Sequence, residues 1–406
     1  WDPDLAADHR GVTTASLPTG LAPEPGIIVP DALVGATWPS VFALIGAART
    51  DEGRPVVEGL LDLVHLDHAI AIDAPIPAQQ ADLTATAVLR SVTDTGVGRV
   101  LAVDVEINDG DTVVATLAER FAIRGRLGAG ELADPVRAGG AADDERDATR
   151  KFLRSATIVA PRAMTGFALV SGDHNPIHTD ANAAALAGLG EPIVHGMWLS
   201  AAAQQVVSAR DTRRGGAPRA IEGWTIRFLG MVRLGDSVDV RVDRVGLDRG
   251  REVVEATMKV DGELVAAATA LLAAPLTVYA FPGQGIQRKG MGLDARSRSA
   301  AARDVWDRAD AHTREALGFS ILAVVRDNPT TLVANGTTYH HPDGVLFLTQ
   351  FTQVAMATLG VAQVAELRES GAFVDDAITA GHSVGEYNAL AACAGVLPLE
   401  AVLEVV

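Results

Sequence analysis

Cysteine is almost missing from this chain. Cys393 is the only one in 406 residues, so no internal disulfide can form, which fits a reducing, cytoplasmic setting. Aromatic residues are also scarce, 4% of the sequence against 48% hydrophobic residues, so the cores must be built from Ala, Val and Leu. Basic charge is short: 34 Lys and Arg face 51 Asp and Glu, a formal net charge of −17. That balance argues against a nucleic-acid partner, because no basic field exists to replace phosphate counterions. An acidic protein partner needs only a local basic patch. The longest apolar run, Leu264 to Phe281, is interrupted by Thr269, Pro275 and Thr277. Two successive buried strands joined at Pro275 are expected there, not a membrane helix. The chain opens at Trp1 with no basic-then-apolar leader. It stops at Glu404-Val405-Val406, inside an apolar helical pattern, and both ends are expected to be cuts in a larger polypeptide.

A chain of this length holds two or three domains. Residues 125–150 read as a linker, with Gly-Ala-Gly, Ala-Gly-Gly-Ala-Ala and the charged run Asp143 to Asp147. The segments on either side repeat one plan. Val34-Gly-Ala-Thr-Trp38-Pro-Ser40 aligns with Val194-His-Gly-Met-Trp198-Leu-Ser200, and Glu58-Gly59 with Glu222-Gly223. Each copy has an Ala-rich helical stretch, then four strand-like runs. Asn108-Asp109-Gly110 and Asp261-Gly262 mark tight hairpins in matching places. A helix followed by an antiparallel meander is the hotdog plan, a sheet wrapped around one long helix. The expected fold is an α+β double hotdog: 1–124 without catalytic residues, the linker 125–150, and 151–275 as the catalytic copy. From about Leu276 strands and helices alternate, the mark of an α/β domain, so 276–406 is expected to be a separate and incomplete domain. Helices are expected at Ser297–Leu317 and Thr349–Glu369, and a loop at Tyr339 to Asp343.

The loop Ser171-Gly172-Asp173-His174-Asn175-Pro176-Ile177-His178 carries two titratable groups five residues apart. Asn175-Pro176 forces a turn between them, so both side chains can enter one cleft, and Asn175 can fix the shape of the loop. Removing water from a 3-hydroxyacyl thioester needs a base at the α-carbon, an acid near the hydroxyl and a donor at the thioester carbonyl. Gly196 opens the long helix of the second copy, where free amides and a positive dipole end meet, and glycine permits close approach. His195 is expected on the cleft wall, and His174 stays open between a place near the cleft and an exposed structural role.

Phe167-Ala-Leu-Val-Ser-Gly-Asp173-His-Asn-Pro-Ile-His178-Thr-Asp180 resembles the signature of the MaoC-like, (R)-specific enoyl-thioester hydratase/dehydratase family. The resemblance implies that His178 takes the α-proton, that Asp173 protonates the departing hydroxyl directly or through water, and that Gly196 holds the thioester oxygen. The first copy has no such loop ahead of Val34, and it has Gly35 and Ala36 where the second has His195 and Gly196.

Gly381-His382-Ser383-Val384-Gly385 fits the Gly-x-Ser-x-Gly elbow, which exposes a serine between strand and helix. With Phe281-Pro-Gly-Gln-Gly285 and Gln350-Phe-Thr-Gln-Val-Ala355 it resembles the malonyl/acyl transferases of fatty acid and polyketide synthases. That implies Ser383 as acyl carrier and Gln284 in the oxyanion hole, with malonyl-CoA as donor for the complete transferase. The family's arginine and base histidine are expected beyond residue 406, so the transferase part is expected to be inactive here.

Both resemblances in this order are similar to an actinobacterial-type multifunctional type I fatty acid synthase: its dehydratase region and the start of its malonyl/palmitoyl transferase. They imply dehydration of a (3R)-3-hydroxyacyl group on the phosphopantetheine of an acyl carrier protein, with no cofactor bound directly. Implied partners are the carrier domain and other synthase domains in a large homo-oligomer. The alternatives are an (R)-specific enoyl-CoA hydratase and a catalytically silent structural segment of a large synthase. His65-Leu-Asp-His68 is set aside as a metal site, because on a regular strand the two rings face opposite ways. The basic stretch Arg210 to Arg219, with Arg213 and Arg214, is a solvated loop by default and a candidate carrier-docking patch.

Overall fold

Two hairpins set the strand geometry. Asp109 pairs with Thr112 across Gly110-Asp111, with Gly110 at φ 58°. Val260 pairs with Glu263 across Asp261-Gly262, at φ 49° and 86°. Left-handed residues in a two-residue loop match the right-handed twist of the strands they join.

The computed structural model describes residues 1–24, 26–133, 146–212 and 218–406. The chain divides into two compact units, residues 1–246 with 252–273, and residues 247–251 with 274–406. The first unit opens with α1 (Pro3–Thr14), β1 (Leu21–Ala22), a 3-10 helix (Pro30–Thr37) and α2 (Trp38–Ala47). Strands β2 (Leu63–Ile72), β3 (Leu83–Thr95), β4 (Gly98–Asp109) and β5 (Thr112–Ile123) follow. Then come β6 (Arg146–Val159), α3 (Thr165–Ser171), α4 (Ala181–Leu186), α5 (Gly196–Ser208) and β7 (Arg210–Asp211). The unit ends with β8 (Ile221–Phe228), β9 (Ser237–Asp248), β10 (Arg251–Val260) and β11 (Glu263–Leu272). β6 begins inside the stretch read as a linker. Residues 134–145 of that stretch, and Arg213 and Arg214 of the basic patch, lie outside the described residues.

Nine strands form one sheet in the order β3-β4-β5-β2-β8-β11-β10-β9-β6. β2 and β8 are antiparallel neighbours, with Ile70 opposite Trp224. From that seam outward the two sides run in matching order, β2-β5-β4-β3 and β8-β11-β10-β9. Alternating burial along β4, with Val103, Val105 and Ile107 inside, shows one face turned to the core.

α5 is buried from Met197 through Ser208. A helix enclosed on all sides must pair its polar side chains. Ser200 Oγ accepts Trp224 Nε1–H at 2.9 Å, Gln205 reaches Thr13 Oγ1 at 3.4 Å, and Gln204 bonds Asp31. α2 buries only Trp38, Val41 and Ile45, at spacings three and seven from its first residue, so it covers the sheet with one face.

The second unit contains β12 (Val278–Phe281), α6 (Leu293–Arg298), α7 (Ala300–His312), α8 (Ile321–Asp327), β13 (Thr331–Ala334) and β14 (Thr337–His340). It continues with α9 (Thr349–Glu369), β15 (Ile378–Gly381), α10 (Val384–Asn388) and α11 (Leu399–Val405). β12 and β15 pair in parallel, with Val278 opposite Ile378. The strand expected to be buried after Pro275 is instead open, with Val278 59% and Ile378 69% exposed. The described sheet here is two strands wide, so its outer faces stay uncovered. The helix expected at Ser297–Leu317 breaks at Ser299, whose side chain caps α7 through Ala302 N–H. Tyr339 and His340, expected in a loop, sit on β14 because Asn335-Gly336, at φ 46° and 76°, closes a hairpin. No described helix is long and apolar enough to cross a membrane.

Candidate active site

The loop after α3 holds itself in place. Gly172 caps the helix in the left-handed region at φ 74°. Asp173 Oδ1 then accepts the Asn175 N–H at 3.0 Å, and Asn175 Oδ1 accepts the Ile177 N–H at 3.3 Å. Pro176 starts a single 3-10 turn, Pro176–His178, its ring fixing φ. The Asn175 amide also donates outward, to the carbonyl of Leu60 at 2.9 Å and of Leu63 at 3.4 Å. The turn is thereby tied to the segment entering β2.

Asp173, His178 and Gly196 line one cavity of about 480 Å³, together with Asn175, His174 and His195. This volume suits a small-molecule site. His178 Nδ1–H donates to the Ile193 carbonyl at 2.9 Å, which fixes the tautomer and leaves Nε2 with its lone pair. Burial lowers the His178 pKa, and the Asp173 charge only partly opposes this. His195 stacks on His178 with ring centroids 3.7 Å apart. Its Nε2–H donates to the Asp173 carbonyl at 3.1 Å, and Nε2 lies 3.9 Å from the Asp173 carboxylate. Burial, then the neighbouring His178, pushes His195 to about 4. Both rings are therefore neutral near pH 7.

Gly196 is the first residue of α5. The leading amides of a helix have no intrahelical acceptor and lie at its positive end. A Cβ on Gly196 would meet the Phe228 ring at 3.2 Å, so the glycine also makes room for an aromatic wall. In the first copy, Gly35 lies inside the 3-10 helix, and a Cβ there would stand 2.6 Å from the Ser171 carbonyl oxygen. Gly35, which aligns with His195, is thus packed against the end of α3, and Ala36, which aligns with Gly196, lies inside the same 3-10 helix and does not form an open helix start.

Asp173, His178 and His195 each place a potential ligand atom within 4.8 Å of the others. Stacked rings direct their in-plane lone pairs side by side, and the His195 Nε2 proton is already donated to a carbonyl. The arrangement suits proton transfer better than a closed coordination shell.

His65 and His68 need a correction. The register of β2 against β5 shifts between His65 and Asp67, and this bulge turns both rings to one side. Glu119 accepts from both, Oε2 from His65 Nε2–H and Oε1 from His68 Nδ1–H, each at 2.7 Å. His68 Nε2–H reaches Asp31 Oδ1 at 3.0 Å, and Gln204 Nε2–H donates to the same oxygen at 2.6 Å. Burial alone would lower the His68 pKa; Glu119 and Asp31 reverse this and hold it at about 10. Burial alone would raise Glu119; His68 and His65 bring it to about 2. His65 lines the cavity beside Trp38, Phe42 and Phe121. Sequence reasoning missed this cluster, although Glu119-Arg120 inside the apolar run of β5 was a signal for buried charge.

In the second unit Ser383 sits between β15 and α10 at φ 57°, ψ −121°, a strained backbone for a non-glycine residue. A capping box holds it: its side chain accepts the Glu386 amide, and Glu386 Oε1 accepts the Ser383 N–H at 3.3 Å. Both flanking glycines are sterically required, since a Cβ on Gly385 would lie 2.1 Å from the Phe281 carbonyl oxygen and one on Gly381 2.2 Å from that of Gly385. Gly283 packs on the elbow, a Cβ there falling 2.9 Å from His382 Nδ1 and 3.5 Å from Ser383 Cβ. The adjacent Gln284 accepts from Gln353 at 3.4 Å.

Residues 142–264 match the MaoC like domain. Residues 278–406 match the acyl transferase domain. The fatty acid synthase beta subunit stcK of Emericella nidulans is 35% identical over 288 residues, which covers 62% of this chain and 15% of that protein. The fatty acid synthase subunit beta of Saccharomyces cerevisiae is 32% identical over 289 residues, 61% of this chain and 14% of that protein. The chain thus spans about one-seventh of the length of these curated relatives. The crystal structure of HtdX from Mycobacterium tuberculosis superposes with a TM-score of 0.46 at 20% identity, covering 66% of this chain and 94% of that one. The chain carries a MaoC-like dehydratase domain and an acyl transferase domain, and it is homologous to fungal fatty acid synthase beta subunits.

Proposed function

We propose that the first unit dehydrates (3R)-3-hydroxyacyl thioesters, carried on the phosphopantetheine arm of an acyl carrier protein, to trans-2-enoyl thioesters. His178 Nε2 removes the α-proton while the carbonyl oxygen rests at the Gly196 end of α5. The C3–O bond then breaks, and Asp173 in its protonated, acid form supplies the proton, directly or through a water, so that the hydroxyl leaves as water. The proton on His178 returns to Asp173 through solvent. One observation carries this reading: His178 Nδ1–H is committed to the Ile193 carbonyl, so Nε2 keeps a lone pair in the cavity that Asp173 and Gly196 share.

The matching strand order about the β2–β8 seam supports two hotdog repeats, 1–124 and 151–275, with 125–150 between them. The first repeat shapes the acyl groove. Homology to synthase subunits supports a place in a multifunctional type I synthase, of the actinobacterial type by its domain order, with Ser383 and Gln284 as the acyl-carrying and oxyanion residues of a malonyl transferase. Among the described residues no histidine ring bonds the Ser383 hydroxyl, so little activation of that serine is expected in this chain.

The test is enoyl thioester formation from 3-hydroxyacyl carrier protein and from the matching coenzyme A thioester. The wild-type chain should turn over the carrier-bound substrate, and Asp173→Asn or His178→Ala should each cost about 10²-fold or more. A wild-type chain without turnover, or undiminished rate in the double variant, would end this reading. Preference for the coenzyme A thioester would move it to a hydratase.

A further inference from the structure

The cavity wall contributed by residues before the linker is apolar apart from His65: Trp38, Phe42, Leu60, Leu63, Val64, Leu66 and Phe121 supply the rest. His65 is the inner end of a buried chain, His65–Glu119–His68–Asp31–Gln204, that runs back to the enclosed helix α5. The Glu119 side chain is fully buried and its two oxygens each take one imidazole. A carboxylate only accepts, so the proton of His65 sits on Nε2. Stacking on Phe121 at a centroid distance of 4.6 Å fixes the plane of the ring. Nδ1 is the remaining polar position. It has no protein partner among the described residues and is not among the enclosed, unpaired atoms, so it opens on the cavity. The reacting end is close by: Phe228 lies 5.5 Å from His65 by ring centroids and packs against Gly196.

A polar atom facing an otherwise apolar wall costs free energy once a ligand displaces water, unless the ligand bonds it. In a 3-hydroxyacyl thioester the acyl part has two polar groups. The carbonyl oxygen accepts only, and so suits Nδ1 only when the ring is cationic. The hydroxyl both donates and accepts, and so suits Nδ1 in either protonation state. We propose that His65, oriented by Glu119, is a substrate-binding residue that hydrogen-bonds the 3-hydroxyl of the bound acyl chain. The enoyl product lacks that hydroxyl, so His65 favours substrate over product in the same cavity. The inference rests on the dehydratase reading above and adds a specificity residue from the repeat that lacks the catalytic loop.

The test measures binding of 3-hydroxybutyryl and butyryl thioesters of pantetheine to the full chain by calorimetry. An Asp173→Asn background keeps the hydroxy ligand intact. The parent should prefer the hydroxy ligand. Adding His65→Leu should remove about five-fold of that preference, the size of one neutral hydrogen bond, with butyryl binding little changed. His65→Gln, which keeps an acceptor and a donor, should restore part of it. If wild-type protein turns over substrate but His65→Leu keeps the full hydroxyl preference, the inference is overturned while the dehydratase reading stands. Equal weakening for both ligands overturns it too, because the role of His65 would then be packing. Failure of wild-type turnover falls on the dehydratase reading instead.

Discussion

The imidazoles of His178 and His195 lie face to face, 3.7 Å between centroids and 26° between planes. Two cations at that separation would repel strongly in a buried site. The stack therefore holds one proton acceptor, His178 Nε2, beside a neutral donor already engaged with the Asp173 carbonyl.

This fixes the sign of the pH dependence. Burial moves the His178 pKa below its ordinary 6.5. A base must be unprotonated to act, so the limb of the kcat/KM profile that reports protonation of His178 should be centred below pH 6.5. A rate profile with its acid limb centred above pH 6.5 would contradict the assignment of His178 as the base.

Much of this was legible in the sequence, and the parts that were not have physical reasons. Helix α9 (Thr349–Glu369) falls on the expected residues, and the expected hairpins at Asn108-Asp109-Gly110 and Asp261-Gly262 form, because turn residues act locally. Strand β6 was missed because its start is polar and continuous with a charged, glycine-rich stretch. The His65–His68 pair was misjudged because a bulge is a property of strand pairing, which no single strand reveals. The polar loop itself was readable, since Asp173, Asn175 and Pro176 act through bonds to near neighbours. Its tie to Leu60, 115 positions away, was not.

That tie supports a second prediction. Asn175→Ala removes the donor to the Leu60 carbonyl and the acceptor for Ile177 N–H. Stability should fall by about 1–3 kcal/mol, read by denaturant melting. The loop carrying both titratable groups would also drift, and kcat/KM should drop by about 10²-fold. Wild-type rates in a destabilised Asn175→Ala protein would show that the amide serves folding alone.

Gly35 offers a third. In Gly35→Ala the new methyl would press on the Ser171 carbonyl at 2.6 Å, and backbone has little room to yield. A cost of about 1–3 kcal/mol is expected, together with lower dehydratase activity, because Ser171 leads directly into Asp173. A substitution far from the loop in sequence would then be read out at the reaction. Unchanged melting and rate would place the true contact elsewhere.

The buried His68–Glu119 pair gives a fourth. The folded His68 pKa, about 10, lies above its ordinary 6.5, so its contribution is complete below pH 6.5 and disappears as pH rises toward 10. Glu119, at about 2 against an ordinary 4.5, contributes above pH 4.5 and loses this as pH falls toward 2. Stability from the pair should peak between pH 4.5 and 6.5. Glu119→Gln should cost about 3–5 kcal/mol, because a buried imidazolium loses one of its two carboxylate partners, and should flatten the alkaline fall in melting temperature. An equally steep alkaline fall in the variant would assign that slope to other groups.

The pairing of β2 with β8 has a practical consequence for anyone dissecting the chain. Among the described residues, each strand shields the other along that margin. A fragment severed between β5 and β8 would carry a bare row of amides and carbonyls on an apolar strand, an invitation to stick to its own kind. Expression in pieces is therefore expected to yield aggregates from the first unit unless β2 and β8 are kept on one piece.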